Sequence, residues 1–443
     1  MMTAATAQAR MWRLPTRTRT WPRLALPAHR ASSATLCAAY PFLLAPCADV
    51  GVPVGIDGLA GGVFCFDPWA LYGAGELTNP NVVLAGVVGA GKSALAKSLA
   101  FRSIAAGRRV YVPGDPKGEW AALAHEVGGV VVRLGPGQPA RLNPLDAAAS
   151  ADPHGDRLRR IAAVAATTLS RTLHPAEHSA LDAALTAAEH TSSVPTVGPL
   201  VAALTDPDDV AARRDGLTRA DRIRDGSDLA HGLRRLVRGD LAGMFDGPTT
   251  HPLDPTAPLV VLDLSSLGAD DDGLAVAMTC ASGWLEAALH PAPGVVPAKR
   301  WVIYDEAWRL MRQTAVIRRL QAQWKLSRAM GVANLLVLHR LSDLDAIGPA
   351  GSEARALALG LLADCSTRVV YRQESDQLAT TGAALGLTRP ERDLLPALPR
   401  GTGLWKLPRR SHVVHHLLHP AETGFVDTDH AMREEVTSWT RTP

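Results

Sequence analysis

The sequence predicts an α/β protein: a largely parallel sheet covered by helices, with an all-α insertion and a short β lead-in. Three observations carry that expectation. Asn81 to Ser98, NVVLAGVVGAGKSALAKS, passes from an apolar run through glycines into a helical pattern. Strand-like runs then recur at 108–114, 129–135, 259–266, 301–306, 333–340, 366–373 and 401–407, with helical periodicity between many of them. Such alternation builds parallel sheets covered on both faces. Finally, 146–240 contains no strand-like run, only Ala-, Leu- and Arg-rich helical periodicity broken at Pro195, Pro199 and Pro207, which reads as a helical insertion.

The chain in order supports each part. Its 443 residues, 47% hydrophobic, can bury a large core. Residues 1–32 carry Arg10, Arg13, Arg17, Arg19, Arg23 and Arg30 and no acid, so they read as a disordered basic arm. The net charge of +3 therefore leaves −3 for the rest, which does not describe a strongly basic nucleic-acid binder. The uncharged stretch 32–48 is short for a membrane span and is broken by Pro41 and Pro46, so neither a span nor a signal peptide is expected. Five scattered cysteines without a C-x-x-C pair read as small core residues in a reducing compartment. Residues 33–75 form the β-rich lead-in, a hairpin or two edge strands closed by an Asp67-Pro68 turn. The core is then expected at 76–145 and again at 241–420 around the insertion, with a tail at 421–443.

Gly86 to Ser93, GVVGAGKS, satisfies the P-loop pattern G-x-x-x-x-G-K-S between a strand and a helix. Gly86, Val87, Val88, Gly89, Ala90 and Gly91 give backbone N–H groups that can face a polyphosphate. Lys92 meets the β and γ phosphates, Ser93 offers its hydroxyl to Mg²⁺, and the following helix aims its positive end at the same anion. The chain has only 6 Lys against 40 Arg, so a lysine kept here suggests lysine chemistry.

WVIYDE, 301–306, is an apolar strand ending in two acids, the Walker B pattern that completes such a site. Asp305 is expected to hold Mg²⁺ and Glu306 to polarise the attacking water. Asp263, at the end of LVVLDLSS, is a rival, but Leu rather than a second acid follows it. In DPKGEW, 115–120, Asp115 reads as an N-cap and Pro116 as the first helical residue, which leaves Lys117 without a reason.

With these motifs in hand, most of residues 40–432 resembles the type IV secretion and conjugation ATPases that power pilus assembly, in the FtsK/HerA-like superfamily. The residues that carry the likeness are GVVGAGKS, DPKGEW, RLNPLD (141–146), GMFDGPT (243–249), DEAW (305–308) and SRAMG from Ser327. The resemblance implies a RecA-like P-loop NTPase core, ATP and Mg as cofactors, and a homohexamer with ATP at subunit interfaces. It places at Arg328, on a helix before strand 333–340, an arginine that reaches the neighbour's ATP. It also expects a sensor at the end of that strand, where His339 and Arg340 stand in place of the usual Thr-Gln pair. The large N-terminal domain of the family is not recognisable, so the chain reads as a motor core with a short lead-in.

Two histidine patterns are set aside. HPAEH, 174–178, has the spacing of an inverted zinc site, but Pro175 and Glu177 describe a helix start. HVVHHLLH, 412–419, reads as a strand that divides its histidines between two faces. The expected function is a cytoplasmic ATPase motor for conjugative transfer or type IV secretion, peripheral at the inner face of the membrane. The alternatives are a DNA translocase or coupling-type ATPase, and a ring scaffold that binds ATP without turnover. Membrane components of a secretion complex are expected partners. DNA, and an anionic membrane surface met by the N-terminal arm, are further candidates.

Overall fold

The computed structural model describes residues 50–146, 152–252, 254, 256–268, 270–289, 298–311, 314–339 and 352–427. The basic arm, Arg340 and the end of the C-terminal tail lie outside them. In chain order the strands are β1 (Val52–Asp57), β2 (Val63–Phe66), β3 (Val82–Ala85), β4 (Arg109–Asp115), β5 (Val130–Arg133), β6 (Leu259–Asp263), β7 (Arg300–Tyr304), β8 (Val332–Leu338), β9 (Thr367–Val370), β10 (Thr402–Lys406) and β11 (Ser411–His416). Two compact units divide them, the first holding 50–109, 339 and 365–427 and the second 110–338 and 352–364 among the described residues.

In the first unit the strands run in the order β2-β1-β11-β10-β9-β3. The lead-in is a hairpin: β1 and β2 pair antiparallel, and the Asp57 carboxylate holds the turn by accepting from Leu59 and Ala60 N–H. Asp67-Pro68, expected as a turn, instead starts the helix Pro68–Gly73. The Asp67 side chain accepts from Trp69 and Ala70 N–H at 2.9 Å, and proline suits the first helical position, where no donor is needed. β3 pairs parallel with β9, while β9, β10, β11 and β1 pair antiparallel in succession. Every residue of β3 is at most 1% exposed, which explains its unbroken apolar sequence.

The helix that follows β3, Lys92–Ala105, is tied down at its far end. Arg102 donates to both oxygens of the fully buried Glu422, at 2.6 and 2.7 Å, and to the carbonyls of Pro53, Val54 and Leu417. Glu422 also accepts from Ser98 Oγ at 3.0 Å and from His419 N–H at 2.9 Å. β11 gives each of its histidines a separate partner: His412 meets Asp57 at 2.7 Å, His415 meets Thr402 at 2.7 Å, and His416 meets Ser98 at 3.0 Å. Burial, and then the charge of Arg102, pushes the His416 pKa down to about 4.

In the second unit the order is β8-β7-β4-β6-β5. β7 pairs parallel with β8, and β6 pairs parallel with both β4 and β5. The parallel pairing expected from the sequence thus runs through these strands and β3/β9, with antiparallel pairs confined to the lead-in and the last three strands. β6, β7 and β8 are buried along their whole lengths. Between 152 and 240 the described residues form only helices: Pro153–Thr168, Pro175–Thr191, Val197–Thr205, Asp209–Arg214 and Arg219–Arg238. Pro199, expected to break this stretch, sits in the first turn of its helix, where its missing N–H would have had no helical partner. HPAEH begins a helix at Pro175, with Glu177 reaching back to accept from His174 N–H at 2.7 Å. RLNPLD and GMFDGPT meet here: Leu142 N–H bonds Met244 O, and Asn143 N–H bonds Thr249 Oγ1, both at 2.9 Å.

Candidate functional site

The P-loop, in the first unit, is a shape that its glycines permit. Gly89 and Gly91 have φ of 76° and 108°, the region that L side chains avoid. Gly86 is required for a different reason: a Cβ there would lie 2.6 Å from Tyr371 Cβ. The loop is pinned from outside by Val87 N–H to Arg372 O at 3.1 Å and by Gly401 N–H to Ala90 O at 2.9 Å. Inside it, the buried Lys92 ammonium donates to Gly86 O at 2.6 Å and to Val87 O at 2.9 Å. The helix starts at Lys92 with the left-handed Gly91 as its cap, a residue with no side chain to bond the first turn, and its positive end faces the end of the loop. Ser93 is half-buried in that turn, and Val88 at the tip is 74% exposed.

The acid pair belongs to the second unit. β7 ends at Tyr304, and Asp305 and Glu306 follow it, both buried. Asp305 accepts from Trp120 Nε1 at 3.0 Å and from Glu306 N–H at 3.0 Å. Glu306 has φ of 51°, a left-handed setting that costs a non-glycine residue about 1 kcal/mol or more and persists only when its surroundings fix it. They do. Oε2 accepts from Trp308 Nε1 at 2.7 Å, and Oε1 is ion-paired with Lys117. Burial, reinforced by the Glu306 charge and only partly offset by the Trp120 bond, raises the Asp305 pKa. Lys117 is pushed down by burial, but its bond and charge interaction with Glu306 outweigh this, and the net shift is upward. The Ser93 hydroxyl of the first unit and the Asp305 carboxylate of the second are each an oxygen donor of the kind that a hard cation such as Mg²⁺ takes.

DPKGEW turns out to be a turn rather than a helix start. Asp115 is the last residue of β4, and its carboxylate accepts from Trp120 N–H at 2.8 Å and Lys117 N–H at 3.2 Å. Gly118, with φ of 70°, diverts the chain from a helical path, and the helix begins only at Ala121. Burial raises the Asp115 pKa to about 6.

Arg328, expected on the helix before strand 333–340, is exposed and lies in the turn after that helix, which spans Thr314–Leu326. The helix stops because Ser327 N–H and hydroxyl both reach back to Trp324 O, at 3.2 and 2.5 Å, an i−3 closure that tightens the last turn. His339 directly follows β8 and is half-buried.

No protein-family model and no curated protein sequence matches the chain. Solved structures do. VirB4 of Thermoanaerobacter pseudethanolicus superposes with a TM-score of 0.68 at 21% identity, covering 86% of this chain and 99% of that one. The chain has the VirB4 fold. The bacterial conjugative coupling protein TrwB, in its form with ADP and Mg²⁺, superposes with a TM-score of 0.59 at 15% identity over 88% of this chain and 93% of its own. An unbound form of TrwB gives 0.56 at 16% identity over 76% and 84%.

Sequence reasoning gave no role to four residues that shape these loops: Trp120 and Trp308, quoted only as parts of DPKGEW and DEAW, which bond the acids, and Tyr371 and Arg372, which press on and hold the P-loop. Only Trp308, two residues past Glu306, had a local signal. Lys117 now has a reason, its pairing with Glu306.

Proposed function

We propose that the chain is an ATPase motor that powers conjugative transfer or type IV secretion machinery. The observation that carries this reading is the P-loop with its buried Lys92 held on the loop's own carbonyls, within a chain of VirB4 fold. Gly86 to Ser93 cradle the phosphates of ATP, and Lys92 bears on the β and γ phosphates. Ser93 and Asp305 would hold Mg²⁺, which would supply charge neutralisation at the transferred phosphoryl group. Glu306 orients the attacking water and takes up its proton. Little covalent chemistry is asked of the protein beyond placement and charge.

The subunits act as a homohexamer in which Arg328, exposed on its turn, reaches the neighbour's ATP, and His339 and Arg340 are the sensor candidates. The motor works in the cytoplasm at the inner face of the membrane, joined to membrane components of the secretion complex and aided by the basic arm on anionic lipid. No described helix is long and apolar enough to cross a membrane. The likeness to TrwB favours a second reading, a coupling-type ATPase acting on DNA.

Lys92→Ala should abolish nucleotide binding or turnover, whereas Glu306→Gln should bind ATP and hydrolyse it about a hundredfold or more slowly. Near-normal turnover by the Glu306→Gln protein would remove Glu306 from the mechanism. Strong stimulation of the intact protein by single- or double-stranded DNA would promote the coupling reading.

A further inference from the structure

The turn that follows β4 grips both acids that follow β7, all within the second unit. Trp120 holds Asp305 and Lys117 holds Glu306. The turn itself is fixed: Asp115 binds two of its N–H groups, Leu264 N–H binds Asp115 O at 3.0 Å, and a Cβ on the left-handed Gly118 would crowd Ser265 Oγ at 3.3 Å. Glu306 is held from its other oxygen by Trp308. A carboxylate held through one oxygen can still rotate about its last torsion, which is broad and shallow. Donors on both oxygens, from two separate elements, fix its plane and leave the remaining lone pairs with a set direction.

The pair is only half buried: the Lys117 side chain is 49% exposed and that of Glu306 6%, so its contribution to folding is smaller than that of a fully buried pair. The lysine's hold on Glu306 also bears on the geometry of that carboxylate.

We propose that Lys117 is a positioning residue for Glu306, fixing the carboxylate plane so that its remaining lone pairs face the attacking water. The proposal rests on the hydrolytic reading above. In the step served, the water oxygen bonds to the γ-phosphorus as the bond to the β–γ bridging oxygen breaks. ADP leaves with that electron pair, and the water proton passes by way of Glu306 to the products. The Lys117 proton stays where it is. Misplacing a reacting group by about 1 Å can cost a hundredfold in rate, so loss of this hold should appear in kcat rather than in affinity.

The test uses the full-length protein, steady-state ATP hydrolysis, and titration with a fluorescent ADP analogue. Lys117→Met keeps the aliphatic stem and should lower kcat by about tenfold to a hundredfold while changing the analogue's Kd by less than about twofold. Lys117→Arg, which keeps the cation, should recover most of the loss. In the Glu306→Gln background, where no carboxylate remains to be aimed, adding Lys117→Met should change the single-turnover rate by less than about twofold. Should the methionine variant not fold, Lys117→Ala carries the same comparisons. Wild-type or raised kcat in Lys117→Met, failure of a folded Lys117→Arg to recover, or a further tenfold loss on top of Glu306→Gln each overturns the proposal. Normal turnover by Glu306→Gln alone would instead overturn the hydrolytic reading, so the two failures are distinguishable.

Discussion

Replacing Arg102 by Met should destabilise the first unit far more than an ordinary surface arginine would. Glu422 is fully buried, and four donors reach its carboxylate: Arg102 Nε at 2.6 Å, Arg102 Nη2 at 2.7 Å, Ser98 Oγ at 3.0 Å and His419 N–H at 2.9 Å. The substitution removes the two charged donors and leaves two neutral ones beside an uncompensated anion. Breaking a buried pair in this way typically costs about 3–5 kcal/mol, whereas exposed pairs are worth about 0–1 kcal/mol. Arg102 is 12% exposed at its side chain and also holds carbonyls of β1, so the buried figure applies. Urea unfolding should show the loss as a lower midpoint, and amide exchange along Lys92–Ala105 should quicken in step. Adding Glu422→Gln to Arg102→Met should recover about 1 kcal/mol or more, because the neutral amide removes the stranded charge while its oxygen can still accept from His419 N–H and its NH2 can donate to the Ser98 hydroxyl. A loss below about 1 kcal/mol for Arg102→Met, or no recovery in the double variant, would refute the reasoning.

Two further outcomes are expected, one from the burial of His416 and one from the role proposed for Arg328. His416 has a folded pKa near 4, below its unfolded value of 6.5, so it is neutral in the fold and the unfolded chain binds its proton first. Its contribution is present above pH 6.5 and is lost as the pH falls from there toward 4, and His416→Gln should flatten that part of a stability-versus-pH curve; an unchanged curve would exclude His416 as its source. For Arg328, mixing the inactive Arg328→Ala and Lys92→Ala proteins should restore some turnover in mixed rings, since residues that act across an interface are typically worth about a thousandfold in rate; mixed rings without activity at any ratio would end that assignment.

The P-loop was legible because its chemistry is contiguous. Strand, glycines, lysine and helix follow one another, and the φ values of Gly89 and Gly91 are what such glycines exist to permit. The acid pair was legible for the same reason, as two charges ending an apolar run. What could not be read was pairing between distant stretches. Trp120 and Asp305 are 185 positions apart, and nothing local in DPKGEW announces a partner on β7's far end. Asp115-Pro116 looked like a helix start because both residues suit one, yet Gly118 and the Asp115 bonds to its own turn decide otherwise. Arg328 fell off its expected helix for a similarly small reason, the Ser327 closure onto Trp324. Helix ends depend on one or two hydrogen bonds, which periodicity does not encode.

Lys92 is held by the oxygens of the loop that it is meant to serve. A lysine waving in water would have to give up about 2 kcal/mol of rotamer freedom to meet a ligand, and here that freedom is already gone on folding. Two inward-facing carbonyls would by themselves repel an anion; the ammonium between them cancels that repulsion and keeps the ring of backbone open. An incoming group must then displace neutral oxygens from a cation, which a neutral molecule gains nothing by doing and a phosphate gains a full charge interaction from. On the proposed reading, the loop would therefore sort its ligands by charge before the rest of the nucleotide is met.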